Sequence, residues 1–467
     1  MESQLNQLAF EPVLSDPEGT GGRANESARR APAAGCDSTL SIDDAAGIAW
    51  DAAVIGAGPT GALAARELAR RGLRTLLLDR STFPREKVCG GCVSGLGRQL
   101  LESVGLESLL APPVAVPLTR FELAATGRRV AFALPAGAVV SRYEFDAALV
   151  RHAVQAGVAF CSGTTTLVRG LSDGCRFRRL VLQHDDHPLV ARARFVIVAD
   201  GLGRSSLKRH RAFAPRVAAS SRIGLGATLP ATAVDLEPGC VSMSVGRDGY
   251  VGMVRLPGDV INLAAAVDPQ LVRQLGPAHA VRTVLSQAGT QPPSDLENTD
   301  WRGTGLLTRQ SPRSSARRLL VLGDAAGYVE PFTGEGMTWG LMSAVLAAPL
   351  VADWLTRDDA SVVDQRAARR DAQQLGRTWS KVSRTQLVPR QRDCRILSNL
   401  LRRPAAVRAA MALLAVAPGV ARPFIAHYWN SGRKLAAAAQ FSTRSFSTNQ
   451  FSADQFAARS PMEHTLR

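Results

Sequence analysis

The stretch Val54-Ile55-Gly56-Ala57-Gly58-Pro59-Thr60-Gly61 closes a short apolar run and opens a helical segment that ends at Gly72. A second apolar run, Thr75-Leu76-Leu77-Leu78, then delivers Asp79, 23 residues past Gly56. Strand, glycine turn, helix, strand and acid in this order make a cradle for the pyrophosphate of a dinucleotide. Gly56 lets the chain turn sharply off the strand. Gly58 carries no side chain to hold a phosphate away from the backbone, and Gly61 allows close helix–strand packing. Ala57, Pro59 and Thr60 complete the turn, where unpaired N–H groups and the positive end of the helix dipole face the phosphates. Asp79, with Arg80 beside it, is placed to meet the ribose hydroxyls. The turn alone does not choose between NAD and FAD.

Working outward, 467 residues bury a large core and give room for two joined parts plus tails. Mean hydropathy is close to zero. No apolar run reaches the roughly 20 residues needed to span a bilayer, and Trp339–Ala352 and Ala409–Ala421 read as buried helices. The first 48 residues lack the basic start and apolar block of a secretory signal. Seven scattered cysteines make no disulfide framework, so a reducing, cytoplasmic setting is expected. The net charge of +16 is uneven: Ser361–Arg467 holds 18 Lys/Arg against 5 Asp/Glu, or +13 of it. That region reads either as a solvated Arg-rich helical surface or as a peripheral contact with an anionic membrane. No nucleic-acid motif accompanies it, and no nucleic-acid partner is expected. Nor does any residue cluster point to a metal.

The expected fold class is α/β. Residues 1–48 read as a disordered leader. Residues 49–357 read as a Rossmann-like βαβ domain with a parallel sheet, interleaved with an antiparallel-sheet substrate lobe near 110–140 and 212–300. Residues 358–437 form a helical, basic C-terminal region. Residues 438–467, where Phe441, Phe446, Phe451 and Phe456 recur every five residues, match neither helix nor strand period and read as a low-complexity tail.

Three further motifs follow the first in order. Strand 194–199 ends in Asp200-Gly201. Strand 319–322 ends in Gly323-Asp324-Ala325-Ala326-Gly327, and the string Pro331-Phe332-Thr333-Gly334-Glu335-Gly336-Met337 precedes a long apolar helix. With Phe83-Pro84-Arg85-Glu86-Lys87-Val88-Cys89-Gly90-Gly91 and Ser141-Arg142-Tyr143-Glu144-Phe145-Asp146, this set resembles the para-hydroxybenzoate-hydroxylase-type FAD oxidoreductases. It is most similar to their geranylgeranyl-reductase branch. The likeness covers about Asp51 to Asp353.

The resemblance implies an extended FAD, with its adenosine at Gly56–Asp79 and its flavin between the two lobes. Arg142 and the loop Lys87–Cys89, continuing into Gly90, would lie beside the cofactor. Gly323 and Asp324 would meet its ribityl or phosphate portion, and Gly334, Glu335, Gly336 and Met337 its ring. Asp200 and Gly201 correspond to a position that links flavin and NAD(P)H in hydroxylases, or Asp200 is a structural acid closing a buried strand. Independently of the likeness, a helix starting at Gly334, capped by Thr333, would aim N–H groups at the anionic side of a reduced flavin. Cys89 and Cys92 leave three readings open: a structural lining, a catalytic contact by Cys89, or a redox pair.

These observations predict an FAD-dependent reductase or dehydrogenase transferring hydride between flavin N5 and an apolar, isoprenoid- or polyketide-like substrate. Tyr250 and Phe332 are its candidate substrate contacts, and NAD(P)H is a candidate donor. The substrate sheet departs from the branch pattern, because Gly249–Pro257 keeps Tyr250 and Pro257 but lacks its Trp and Phe. Two alternatives stand beside this reading: an NAD(P)H- and O₂-dependent monooxygenase, and a non-enzymatic flavin-holding protein.

Overall fold

The computed structural model describes residues 35–172, 176–184, 187–330, 332–357 and 365–429. Its parallel sheet is centred on short apolar runs of the sequence. Ala52, Ala53, Val54, Leu76, Leu77 and Leu78 are fully buried, as strands covered on both faces must be. The strand order is Ser315–Ala316, Leu319–Val321, His187–Val198, Ala49–Ile55, Thr75–Leu78 and Ala159–Cys161. All neighbours pair in parallel except the first two. A hairpin of Thr165–Ser172 and Phe177–His184 adds antiparallel to the early half of His187–Val198.

The chain is already ordered ahead of residue 49, within the stretch expected as leader. Residues 35–48 are packed, and Ile42–Gly47 forms a helix, α1, capped by the Ser41 hydroxyl. The Thr39 amide donates to the Phe160 carbonyl at 2.8 Å and the Ser162 amide donates to Ser38 Oγ at 3.0 Å. Ala45 is fully buried, and the Trp50 indole N–H donates to its carbonyl. Phe160 and Ser162 lie more than a hundred residues from Thr39 and Ser38, so local composition carried no sign of those contacts.

Between the first two parallel strands runs α2, Pro59–Ala69, which packs against α4 (Arg142–Gln155) and α6 (Gly336–Arg357). The preceding α3, Gly95–Ser103, also lies on α6. Helix α6 is long and apolar enough to cross a membrane, but 72% of its most apolar stretch is buried inside the protein. It is a core helix.

The second lobe is a seven-stranded sheet ordered Arg302–Leu306, Ile223–Pro230, Val260–Val267, Gly249–Leu256, Cys240–Val245, Arg120–Ala125 and Arg128–Ala133. It runs past residue 300 to Leu306. Nor is it wholly antiparallel: Cys240–Val245 pairs in parallel with Arg120–Ala125. That junction is where the two sequence segments of the lobe meet after the chain has crossed the Rossmann-like sheet. Helix α5, Pro269–Ala288, covers one face with Val281, Val284 and Leu285. The other face, including Val241, Met243, Tyr250 and Val254, turns toward the cleft and the C-terminal helices.

Those helices are α7 (Gln365–Gln386), α8 (Val388–Leu400), α9 (Pro404–Val416) and α10 (Arg422–Trp429). Helix α7 packs on α6 and α8, while α9 lies on the strand Arg128–Ala133. The first 34 residues and the phenylalanine repeat at 441–456 lie outside the described residues.

Candidate functional site

One continuous cleft of about 350 Å³ runs from the first glycine turn to the face of the lobe sheet. Its first end is set by close packing. A Cβ on Gly61 would sit 1.7 Å from the Gly56 carbonyl oxygen, and one on Gly56 would sit 2.4 Å from the Ala199 carbonyl oxygen. Strand and helix therefore approach as only glycine permits. Gly58 differs: a Cβ there would point toward the cleft and meet only the tip of Arg85, at 3.4 Å. Gly58 caps α2 without a side-chain hydrogen bond, so the first-turn N–H groups of Thr60 and Gly61 have no acceptor within the helix. This is a cradle that a diphosphate fits.

Asp79 stands across the turn, nearly buried, and is held by the chain itself. Its Oδ2 accepts the Ala57 amide at 2.7 Å and its Oδ1 accepts the Ser81 amide at 2.9 Å. Each oxygen keeps a lone pair for a ribose hydroxyl. Gly56, Gly58, Pro59, Thr60, Asp79 and Arg80 all line the cleft, whereas Ala57 and Gly61 stand behind it as supports.

Further along, Arg142 and Asp146 form a bidentate pair with both hydrogen bonds at 2.7 Å. Burial works against the Arg142 charge, but the fully buried Asp146 outweighs it and holds the guanidinium protonated. Arg85 joins the same carboxylate at 3.3 Å and stacks over Phe83. Reading motifs one at a time missed Arg85, although it lies inside Phe83–Gly91. Lys87 is open to solvent through the cleft yet walled by protein. That desolvation, reinforced by Arg85 and Arg142, pulls its ammonium below the ordinary lysine range, with Asp324 opposing. Asp324 is pushed up to about 6 by burial, against the pull of Lys87 and Arg142. Arg85, Lys87 and Arg142 thus place positive charge along the cleft, with Arg85 next to Gly58.

Gly90, Cys89 and Cys92 also line the cleft. The Asn262 side-chain Nδ2 donates to the Cys89 carbonyl at 2.9 Å and so fastens the loop to the lobe sheet. Cys92 is buried on the short strand Cys92–Ser94, and burial pushes its thiol up to about 12. Such a thiol is a poor partner for disulfide exchange. Asp200 and Gly201 border the cleft, and Asp200 Oδ2 accepts the Ser206 amide at 2.9 Å. Asp200 Oδ1 is buried with no protein partner, and burial raises the carboxyl above its usual range.

The turn after Phe332 corrects the expected helix start. Gly334 takes the left-handed conformation (φ 73°), so α6 begins at Gly336. Thr333 does not cap it; its hydroxyl faces Cys394. Gly334, Gly336 and Met337 line the cleft, and the first-turn N–H groups of α6 lack intrahelical acceptors. Glu335 does not line it. Its fully buried carboxylate lies 3.6 Å from Arg390 on α8, and burial lifts it to about 7 against that arginine's pull. Gly323 likewise stands behind the lining, where its missing side chain makes room for the Thr60 hydroxyl. Asp324 itself lines the cleft.

The far end is apolar. Val241, Met243, Val254, Ala265, Leu307 and Phe332 form its walls, and Tyr250 packs edge-on against Phe332 with centroids 5.3 Å apart. Beneath them the fully buried Glu330 joins Arg222 at 3.4 Å and Arg402 at 2.8 Å. Tyr328 also faces the cleft, and burial keeps its phenol protonated, as it does for Tyr250.

The chain is similar in sequence and in fold to known proteins. The menaquinone reductase of Mycobacterium tuberculosis is 28% identical over 346 residues, covering 67% of this chain and 78% of that protein. Digeranylgeranylglycerophospholipid reductase 2 of Methanopyrus kandleri is 29% identical over 338 residues, covering 67% and 79%. The solved geranylgeranyl bacteriochlorophyll reductase-like protein of Thermoplasma acidophilum superimposes with a TM-score of 0.62 at 17% identity, over 84% of this chain and 99% of that one. The FAD binding domain family matches residues 49–375, the whole of the two-lobed unit. The chain therefore belongs to the FAD binding domain family and is an FAD-dependent oxidoreductase.

Proposed function

We propose that the protein reduces a double bond in an elongated, apolar substrate of isoprenoid- or polyketide-like character, with NAD(P)H as electron donor. The observation that carries this reading is the apolar chamber on the lobe sheet, which opens directly onto the Gly334–Met337 turn. The two reductases above act, by their names, on a menaquinone and on a digeranylgeranylglycerophospholipid, and both compounds carry apolar prenyl chains.

When bound, FAD supplies two-electron transfer at N5 of its ring. The chain's own residues divide the remaining work. The unpaired first-turn amide at Thr60, which lines the cleft, would hold the diphosphate with the positive end of α2 behind it, Arg85 and Lys87 would supply counter-charge, and Asp79 would take the ribose. The first-turn amides of α6 offer positive potential where negative charge collects on the ring. Arg142, fixed by Asp146, keeps the Lys87–Gly91 loop against the cofactor side of the cleft. Val241, Met243, Leu307 and Phe332 exclude water and seat the substrate. Tyr250 and Tyr328 each hold a proton at the phenol oxygen beside that chamber, and we assign the proton delivered to substrate to one of them.

The test is an anaerobic incubation of the FAD-loaded protein, chemically reduced, with a panel of prenylated quinones, prenyl lipids and polyketides, read by mass spectrometry. Gain of two hydrogens by a substrate is the expected result. Oxygen insertion that requires both O₂ and NAD(P)H, with no anaerobic reduction, would overturn the reading in favour of a monooxygenase.

A further inference from the structure

We propose that the outward faces of α8 and α9 dock the protein on the surface of a bilayer containing anionic lipid. Helix α9 is an apolar helix of 13 residues, too short to span a membrane. An apolar helix of that length is ordinarily a buried core element or an interfacial one. Only its inner face is core: Val407 and Met411 are buried, but Leu413 is 52% and Val416 87% exposed. Ala405, Ala409, Ala412 and Val416 follow at steps of four, three and four, which sets them on one outward stripe. On α8, Val388, Ile396 and Leu400 are likewise exposed, as is Val420 just beyond α9. Six of the ten exposed large apolar side chains among the described residues thus fall between 388 and 420.

The charge around this patch selects its occupant. From Val388 to Trp429 the sequence holds seven arginines and one acid, Asp393. Arg390 and Arg402 turn inward, toward Glu335 and Glu330. Arg392, Arg403, Arg408 and Arg422 are exposed around the apolar stripes. Apolar side chains ringed by arginine match the headgroup layer of an anionic membrane, where burial and Coulomb attraction act together. A second copy of this chain on the same face would bring arginines against arginines, which opposes association.

Position supplies the functional consequence. The inner sides of the same helices, through Leu397, Leu401, Val407, Met411 and Leu414, join the apolar cluster that contains Tyr250 and Phe332. The patch is therefore one helix thickness from the substrate chamber. If the proposed apolar substrate is correct, it reaches the chamber from the lipid phase; the docking itself does not rest on that reading.

The experiment is vesicle flotation of the FAD-loaded full chain, using phosphatidylcholine vesicles with and without phosphatidylglycerol. The wild type should float with the phosphatidylglycerol vesicles, less with phosphatidylcholine alone, and less as salt rises. The double variant Leu413→Asp, Val416→Asp should lose roughly tenfold or more in vesicle affinity, with unchanged flavin absorbance and melting temperature. Arg403→Glu with Arg408→Glu should remove the preference for anionic vesicles. Absence of flotation by the wild type, or equal flotation by the Asp variant, would overturn the proposal. So would a wild-type dimer in light scattering that fails to float and that the Asp variant turns into monomers. None of these readouts uses turnover, so failure of the reductase reading is seen separately, in the anaerobic assay.

Discussion

Replacing Gly58 by valine separates cofactor binding from folding. The backbone at Gly58 is extended (φ −68°, ψ −179°), a conformation any residue adopts. An added Cβ meets only the flexible end of Arg85, at 3.4 Å. The empty fold should therefore lose little, and its melting temperature should move by about 2 °C at most. The bound state is different. A branched side chain would stand between the diphosphate and the first-turn amides of α2, forfeiting at least two hydrogen bonds to a charged group. Each contributes about 1.5–3 kcal/mol, so FAD affinity should fall by roughly 10² to 10⁴-fold. Titration of apo-protein with FAD, followed by flavin fluorescence, reads this directly. Gly61→Ala is the contrasting variant: its Cβ would lie 1.7 Å from the Gly56 carbonyl oxygen, and it should damage the fold itself. Wild-type FAD affinity in Gly58→Val would refute the placement of the diphosphate.

Other predictions follow from the charged and thiol groups. Glu335 holds its proton up to about pH 7 in the fold, against an ordinary value of 4.5. Below the ordinary value it is neutral whether folded or not. As pH rises between the two values only the unfolded chain gives up the proton, so the fold loses stability. From pH 5 to pH 8 that loss is about 2–3 kcal/mol, and Glu335→Gln should abolish it; an identical pH dependence in the variant, measured by chemical denaturation, would contradict the buried placement. Arg85→Ala removes the cation nearest Gly58 and should weaken FAD binding about tenfold, less so at high salt; unchanged affinity and salt dependence would place the phosphates elsewhere. Both thiols border the cleft, but alkylation followed by peptide mass spectrometry should label the half-buried Cys89 well ahead of the buried Cys92. A Cys89–Cys92 linked peptide in the air-oxidised protein would restore the redox pair.

Much of the cofactor half was legible because its determinants are local. The spacing of Gly56, Gly58 and Gly61 is a steric demand within a few residues, and the apolar runs beside it can only be buried strands. Long-range determinants were not legible. Ser38 and Thr39, in residues 35–48, are held by hydrogen bonds to Ser162 and Phe160. The side chain of Glu335 follows Arg390, some fifty residues later, and so turns away from the ring it was expected to meet. Thr333 had the right chemistry for a helix cap. The left-handed turn at Gly334 moved the helix start beyond its reach. The parallel pair within the lobe sheet joins two segments separated by the whole Rossmann-like crossover, and alternation of apolar residues reports pleating without reporting direction.

The central claim is that backbone amides at the start of α2 and of α6 hold the two ends of one FAD. Its most direct test is to release and identify what the purified protein binds, by absorbance and mass spectrometry, before and after incubation with excess FAD. The account predicts a yellow protein carrying close to one FAD per chain. A colourless protein that takes up none when FAD is supplied would contradict it.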